Sequence, residues 1–166
     1  MHDRSPVTTF LFTDIEGSSR LWDREPERMR AALARHDTIA RSIVEQGGGA
    51  IVKMTGDGIY AVFSDPADAV AAGLRLQQTL VDPDATGGVA LRVRTGIHAG
   101  VCERRDGDFF GTVVNRAARI MSVAHGGQVL VSLAVASLAA DRLPAGVTLR
   151  DLGPIRLRDL EMSEHV

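Results

Sequence analysis

Between residues 7 and 101 the apolar side chains change period in a fixed order, and that order leaves few folds open. Residues 7–12, Val-Thr-Thr-Phe-Leu-Phe, have the β-branched and aromatic composition of a buried strand, and they run into the polar segment Thr13-Asp14-Ile15-Glu16-Gly17-Ser18-Ser19. From about Arg24 to Gln46, Met29, Leu33, His36, Ala40 and Ile43 recur at three- or four-residue spacing. Gly47-Gly48-Gly49 closes the run, which predicts one long amphipathic helix. Two short apolar strands follow, Ala50 to Thr55 and Ile59 to Phe63, joined by Gly56-Asp57-Gly58, whose glycines allow the positive φ of a tight hairpin. Asp65-Pro66 supplies an N-cap and a first-turn proline for a second helix, with Val70, Leu74, Gln77 and Val81 along one face. After a loop from Asp82 to Gly88, Ala90 to Val101 reads as a fourth strand.

Strand, helix, strand, strand, helix, strand is the βαββαβ order of a ferredoxin-like α+β sheet with both helices on one face. In that topology the first and third strands are antiparallel neighbours, so the end of the first lies beside the start of the third. Asp14 and Asp57 then converge. Further on, Gly111 to Ala124 predicts a helix, and Gln128 to Ser132 and Leu149 to Leu160 predict strands, so the core gains a C-terminal helix and strand additions.

No repeat or low-complexity linker divides the 166 residues, and the expectation is a single domain over 1–166 with its core at about 7–160. Such a chain buries roughly 70% of its unfolded surface and needs no disulfide, and Cys102, the single cysteine, has no partner for one. With 19 basic against 21 acidic side chains and no block of five like charges, the balance argues against a nucleic-acid partner and against an anionic membrane surface. Met1-His2-Asp3-Arg4 leads into no signal-peptide stretch, and the longest weakly polar run, Val129 to Ala140, is far short of the ~20 residues of a bilayer span. These readings imply a cytoplasmic domain without membrane contact.

Converging carboxylates at adjacent strand ends form a hard-oxygen site suited to Mg²⁺ or Mn²⁺, which bind one or two carboxylates and take other ligands from substrate phosphates. Ile15 to Ser19 can point backbone N–H groups at an anion. Taken singly, each aspartate also has a structural reading, Asp14 as the cap of a turn and Asp57 as the favoured residue of an Asp-Gly hairpin. In the predicted helix after Asp108, Thr112, Asn115, Arg119 and Ser122 form a polar stripe, and Val114, Ala117, Ala118 and Met121 an apolar one. An asparagine and an arginine one turn apart suit a ribose and a phosphate, whereas an ordinary polar stripe is solvated surface. Of the 19 basic residues 18 are arginine, leaving Lys53 as the sole lysine, in a strand beside Gly56-Asp57-Gly58. Its alternatives are a chemical role and chance survival in an arginine-biased composition.

Four segments, Phe12 to Ser19, Lys53 to Gly58, Arg94-Thr95-Gly96-Ile97-His98-Ala99-Gly100 and Asp108 to Arg119, closely resemble the motifs of class III nucleotidyl cyclase catalytic domains, in their bacterial adenylyl cyclase branch. They stand in the family's order, and the resemblance runs from about Thr8 to Leu160. It implies that Asp14 and Asp57 bind two divalent cations, with Ile15 added to that set. It further implies that Lys53 and Asp108 read the base, that Arg94 meets the terminal phosphates, and that Asn115 and Arg119 serve the transition state. Phe12, Gly17 and Ser18 join the nucleotide-binding residues on the same ground. The implied reaction turns ATP into 3′,5′-cyclic AMP and pyrophosphate, in a homodimer whose sites are shared between chains. On that resemblance one metal would acidify the 3′-hydroxyl and another would hold the departing phosphates.

The base-reading pair is consistent with elementary chemistry. Adenine offers an acceptor at N1 and a donor at its amino group, complementing a lysine and an aspartate, whereas guanine presents the opposite polarity. A guanylyl or relaxed purine cyclase is therefore the alternative enzyme, and a catalytically degenerate nucleotide-binding or dimerisation module the non-enzymatic one. The signature of a diguanylate cyclase is absent. Two departures from the family pattern stand out: Arg158 occupies the place of a phosphate-binding lysine, and the chain stops at Val166 within the expected last strand, as a catalytic domain trimmed from a longer protein would. His98, in a strand, is expected to be packed or hydrogen-bonded rather than catalytic.

Overall fold

The computed structural model describes residues 6–157 and 163–166. In chain order the elements are β1 (Val7–Ile15), α1 (Ser18–Arg24), α2 (Pro26–Gln46), β2 (Ala50–Met54), β3 (Gly58–Phe63), α3 (Pro66–Leu80) and β4 (Val93–Val101). They continue as β5 (Glu103–Arg105), β6 (Asp108–Phe110), α4 (Thr112–Val123), β7 (Val129–Val131), α5 (Leu133–Ala139), β8 (Pro154–Arg156) and β9 (Ser163–His165). The main sheet has the order β2-β3-β1-β4-β7, with β1 antiparallel to both β3 and β4 and β7 parallel to β4. Its first four strands are the βαββαβ core expected from the periodicities, and β7 extends it.

Alternation along β1 divides the two faces of the sheet. Leu11 and Ile15 enter the main core with Ile59, Ala61 and Ile97, beneath Met29, Ala32, Ala40 and Val44 of α2 and Leu76 and Leu80 of α3. Phe10, Phe12 and Asp14 point to the opposite face. There α4 packs on β4, whose residues 94, 96, 98 and 100 read Arg-Gly-His-Gly. A Cβ on Gly96 would lie 2.2 Å from the Met121 nitrogen, so the helix rests directly on strand backbone.

Several boundaries differ from expectation. The expected long helix forms whole but starts at Pro26, and non-helical Glu25 separates it from an unanticipated short helix that begins at Ser18, because proline at a first turn starts a helix better than it continues one. The first strand runs on through Asp14 and Ile15, and the fourth starts at Val93. The buried face of α3 is Val70, Gly73, Leu76 and Leu80, while Val81 is exposed; Gln77 instead donates to the carbonyls of Val93 and Gln128 and braces β4. On α4 the fully buried residues are Ala117 and Ile120, a rotation from the expected apolar stripe. Among the described residues of the strand expected over 149–160, Pro154–Arg156 is the part in strand conformation, and 158–160 lie outside the described residues. The hairpin β5–β6 and helix α5 were not anticipated, although Asp106-Gly107, both at positive φ, is a two-residue hairpin signal. Within Gly56-Asp57-Gly58 only Gly56 has positive φ; Gly58 is required because its Cβ would lie 1.8 Å from the Thr13 carbonyl oxygen. No helix among the described residues is long and apolar enough to cross a membrane.

Candidate active site

The register of β1 with its neighbours places Asp14 opposite Gly58 on one side and Arg94 on the other. The Ile15 amide donates to the Asp57 carbonyl at 2.9 Å, fastening the hairpin tip against the end of β1. As a result Asp14, Ile15, Gly17, Ser18, Asp57 and Arg94 all line one cleft of about 570 Å³, together with Glu16 and the turn at His125. Ile15, 3% exposed, faces this cleft with its main chain only. The Ser18 hydroxyl donates to Asp57 at 2.8 Å. The guanidinium of Arg94 grips both carboxylate oxygens of Asp14, its Nε lying 2.6 Å from Oδ1, and donates from its third nitrogen to the Ser122 carbonyl at 3.1 Å. That last contact satisfies a terminal carbonyl of α4 with a cation, the favourable sign at a helix C-terminus. The amides of Ile15 and Glu16 are committed to the carbonyls of Asp57 and Arg92, so the expected anion-facing run of N–H groups shortens to Gly17, Ser18 and Ser19.

A second group lies toward the other end of the aromatic face. Phe12 stacks on Tyr60 with centroids 4.4 Å apart, and Phe109 meets Phe10 edge-on at 5.5 Å. Burial, with Asp108 and then Cys102 nearby, pushes the Tyr60 phenol up to about 12, and its hydroxyl is buried without a hydrogen-bond partner among the described residues. Lys53 is the cross-strand neighbour of Tyr60 only because β2 carries an irregularity between Ile51 and Lys53. In unbroken register with Ile51 opposite Ala61, Lys53 would fall on the face covered by α2 and α3; the extra residue moves it to the aromatic face. A sole lysine in a strand is thereby kept out of the core. Asp108 opens β6, exposed, with Oδ1 accepting the Phe109 amide at 2.8 Å. Asn115 is exposed on α4 and Arg119 half-buried one turn on. None of Lys53, Asp108, Asn115 and Arg119 lines the aspartate cleft. Lys53 stands two strands from β1, roughly 10 Å across the sheet. Arg158 lies outside the described residues.

The sequence profile of adenylate and guanylate cyclase catalytic domains matches residues 1–165. The chain belongs to this class III cyclase family. An uncharacterized Mycobacterium tuberculosis protein is 41% identical over 162 residues, covering 96% of the cyclase domain and 54% of its own length, so the domain spans about half of that relative. A receptor-type adenylate cyclase of Trypanosoma equiperdum is 33% identical, with 92% of the domain and 41% of the relative covered. Among solved structures, an adenylate cyclase from Trypanosoma brucei in its monomeric state superposes with a TM-score of 0.85 at 27% identity, over 99% of the domain and 90% of that chain. A guanylate cyclase domain from Catenaria anguillulae shares the fold at 18% identity with a TM-score of 0.81, over 97% and 93% of the two chains.

Two positions of this cyclase domain were not singled out in the sequence. Glu16 accepts the Gly126 amide at 2.5 Å across the cleft, and nothing in its own segment marks that distant partner. Ser132 caps α5 and contacts Nδ1 of His98 at 2.7 Å, the hydrogen-bonded packing expected for that histidine. Burial, and secondarily Arg116, push the His98 imidazole down to about 4. An unfolded histidine titrates near 6.5, so below that pH the unfolded chain takes up a proton that the folded chain refuses. Stability should therefore decline as pH falls from about 6.5 toward 4. Denaturant melts of wild type and His98→Gln across that window should show a shallower decline in the variant; parallel curves would remove His98 as the cause.

Proposed function

We propose that this cyclase domain converts ATP to 3′,5′-cyclic AMP and pyrophosphate in a homodimer whose two sites are each built from both chains. The observation that carries the reading is the meeting of Asp14, Asp57 and Arg94 at one cleft while Lys53, Asp108, Asn115 and Arg119 stand elsewhere on the same chain. A single nucleotide engages both groups if a second copy supplies the latter, and two-fold symmetry then repeats the site. The unit assigned to this work is the whole of 1–166 as one catalytic domain.

The donor set suits Mg²⁺ or Mn²⁺. Asp14, Asp57 and the Ile15 main chain offer hard oxygen donors at one cleft and would hold such ions together with substrate phosphates and water. When bound, such ions supply Lewis-acid polarisation of the phosphates and acidify the ribose hydroxyl. In the reaction the ribose 3′-oxygen bonds to the α-phosphorus, the bond from that phosphorus to the β-bridging oxygen breaks, the hydroxyl proton is released, and pyrophosphate departs. Arg94, which grips Asp14, is assigned to exchange part of that grip for the terminal phosphates. From the partner chain, Asn115 orients the ribose and Arg119 neutralises charge developing on the α-phosphoryl oxygens, with Arg158 assigned to the phosphates as well. Gly17 and Ser18 approach the phosphates with main-chain N–H groups, and Phe12 packs at the nucleotide face. The domain is assigned to the cytoplasm, free of nucleic-acid or membrane partners.

Lys53 donates to adenine N1 and Asp108 accepts from the amino group, which selects ATP. The deciding assay follows cyclic nucleotide formed from ATP and from GTP with Mn²⁺ and, separately, Mg²⁺; cyclic AMP alone supports the assignment, and cyclic GTP as the main product replaces it. Lys53→Glu combined with Asp108→Ala should shift the ATP to GTP preference by roughly ten-fold or more toward GTP, since each mismatched polar group costs about 1 to 3 kcal/mol. An unchanged ratio in that double variant would refute the base-reading assignment.

A further inference from the structure

We propose that Glu16 is a positioning residue whose carboxylate clamps the turn after α4, so that the aspartate loop of one composite site and the helix serving the other are held as one piece. The inference rests on the shared-site reading above and extends it. Glu16 lies between Ile15 and Gly17 on the cleft wall, near enough to Arg94 to act on its charge, and its carboxylate reaches the turn at Gly126. Its Oε2 accepts the Gly126 amide at 2.5 Å, and its Cδ sits 2.6 Å from where a Cβ on Gly126 would be. The carboxyl group thus fills the space of the missing side chain. The contact is one of a set: the Glu16 amide donates to Arg92, the Gly127 amide to Val93, and Arg94 bridges Asp14 to the Ser122 carbonyl. Residues 122–127 close α4 and turn toward β7, so the bonds of Gly126 to Glu16, Gly127 to Val93 and Ser122 to Arg94 fix the C-terminal end of the helix that presents Asn115 and Arg119, while the Glu16 to Arg92 bond ties the loop to the residues just before β4. In a dimer with shared sites those two side chains act in the site whose aspartates belong to the other chain. Glu16 therefore touches its own chain's cleft and, through α4, governs geometry in the second one.

Glu16→Ala should reduce turnover at least about ten-fold, with a smaller change in KM for ATP, because a misplaced catalytic group costs rate more than binding. Glu16→Gln should retain most activity, since its amide oxygen still accepts the Gly126 proton. Gly126→Ala should reproduce the Glu16→Ala defect by displacing the carboxylate; Gly126 has no positive φ, so the backbone accepts alanine. The double variant Glu16→Ala/Gly126→Ala should be no worse than either single one. If Glu16→Gln is as inactive as Glu16→Ala, or if Gly126→Ala is fully active, the clamp is overturned. A second arm separates the clamp from a direct role at the metal. Pairing an Asp57→Ala chain with an Arg119→Ala chain leaves one working site, with the loop from the second chain and α4 from the first. Glu16→Ala should lower activity when placed on either chain. A defect confined to the Arg119→Ala chain overturns the proposal in favour of a local role in the loop. A baseline pair that is itself dead refutes shared sites instead, and the single variants then decide the clamp alone.

Discussion

Asp14→Asn and Asp57→Asn should each abolish cyclase turnover, by roughly a thousand-fold or more, while the folded domain persists. The magnitude follows from the several kcal/mol that a bound cation contributes to stabilising charge in phosphoryl chemistry, each 1.36 kcal/mol being a factor of ten in rate. The asparagine variants are chosen because each aspartate also makes a structural contact. Asp14 is gripped by Arg94, and Asp57 accepts from Ser18 at 2.8 Å. An amide oxygen keeps a hydrogen bond at either place but is a poor ligand for a hard cation. Neither side chain lies in the apolar core, so circular dichroism should be unchanged and the thermal midpoint only slightly lowered. Adding Mn²⁺ with a non-reactive ATP analogue should raise the wild-type midpoint by mass action and leave both variants nearly unmoved. Full turnover in either variant would reduce that aspartate to a turn residue.

The convergence behind that prediction was legible because it depends on topology alone. Two apolar strands around Gly56-Asp57-Gly58, preceded by a strand and a helix, admit few arrangements, and the antiparallel pairing of β1 with β3 follows from the order. The glycines of the Arg94–Gly100 segment were visible as a motif, but their purpose emerges only when α4 is laid on β4. The placement of Lys53 was not legible at all. Alternation counted through Ala50 to Thr55 puts it on the core face, and a one-residue irregularity in pairing leaves no mark in composition. The long helix was legible except at its start: Met29 to Ile43 all lie after Pro26, so their spacing carries no sign of the break at Glu25 or of the short helix before it. Glu16 was missed because its partner, Gly126, is 110 residues away and glycine carries no chemical signature.

Mixing Asp57→Ala protein with Arg119→Ala protein, each inactive alone, should restore cyclase activity to roughly a quarter of the wild-type value. The argument starts from where the two side chains stand. Asp57 is at the hairpin tip beside β1, and Arg119 is on α4, outside the cleft that Asp57 lines. If one site takes its aspartates from one chain and its α4 from the other, each homodimer of a single variant carries the same lesion in both sites and is dead. A mixed dimer differs: one site collects both lesions, and the other receives Asp57 from the Arg119→Ala chain and Arg119 from the Asp57→Ala chain. Random exchange makes about half the dimers mixed, each with one of two sites intact, which gives roughly a quarter if sites are independent. Dilution should lower specific activity in wild type and mixture alike, because dissociation removes the sites by mass action. Subunit exchange must be verified separately, by co-purifying two differently tagged chains. With exchange demonstrated, a mixture that stays inactive places Asp57 and Arg119 in the same site of the same chain, and the shared-site arrangement fails.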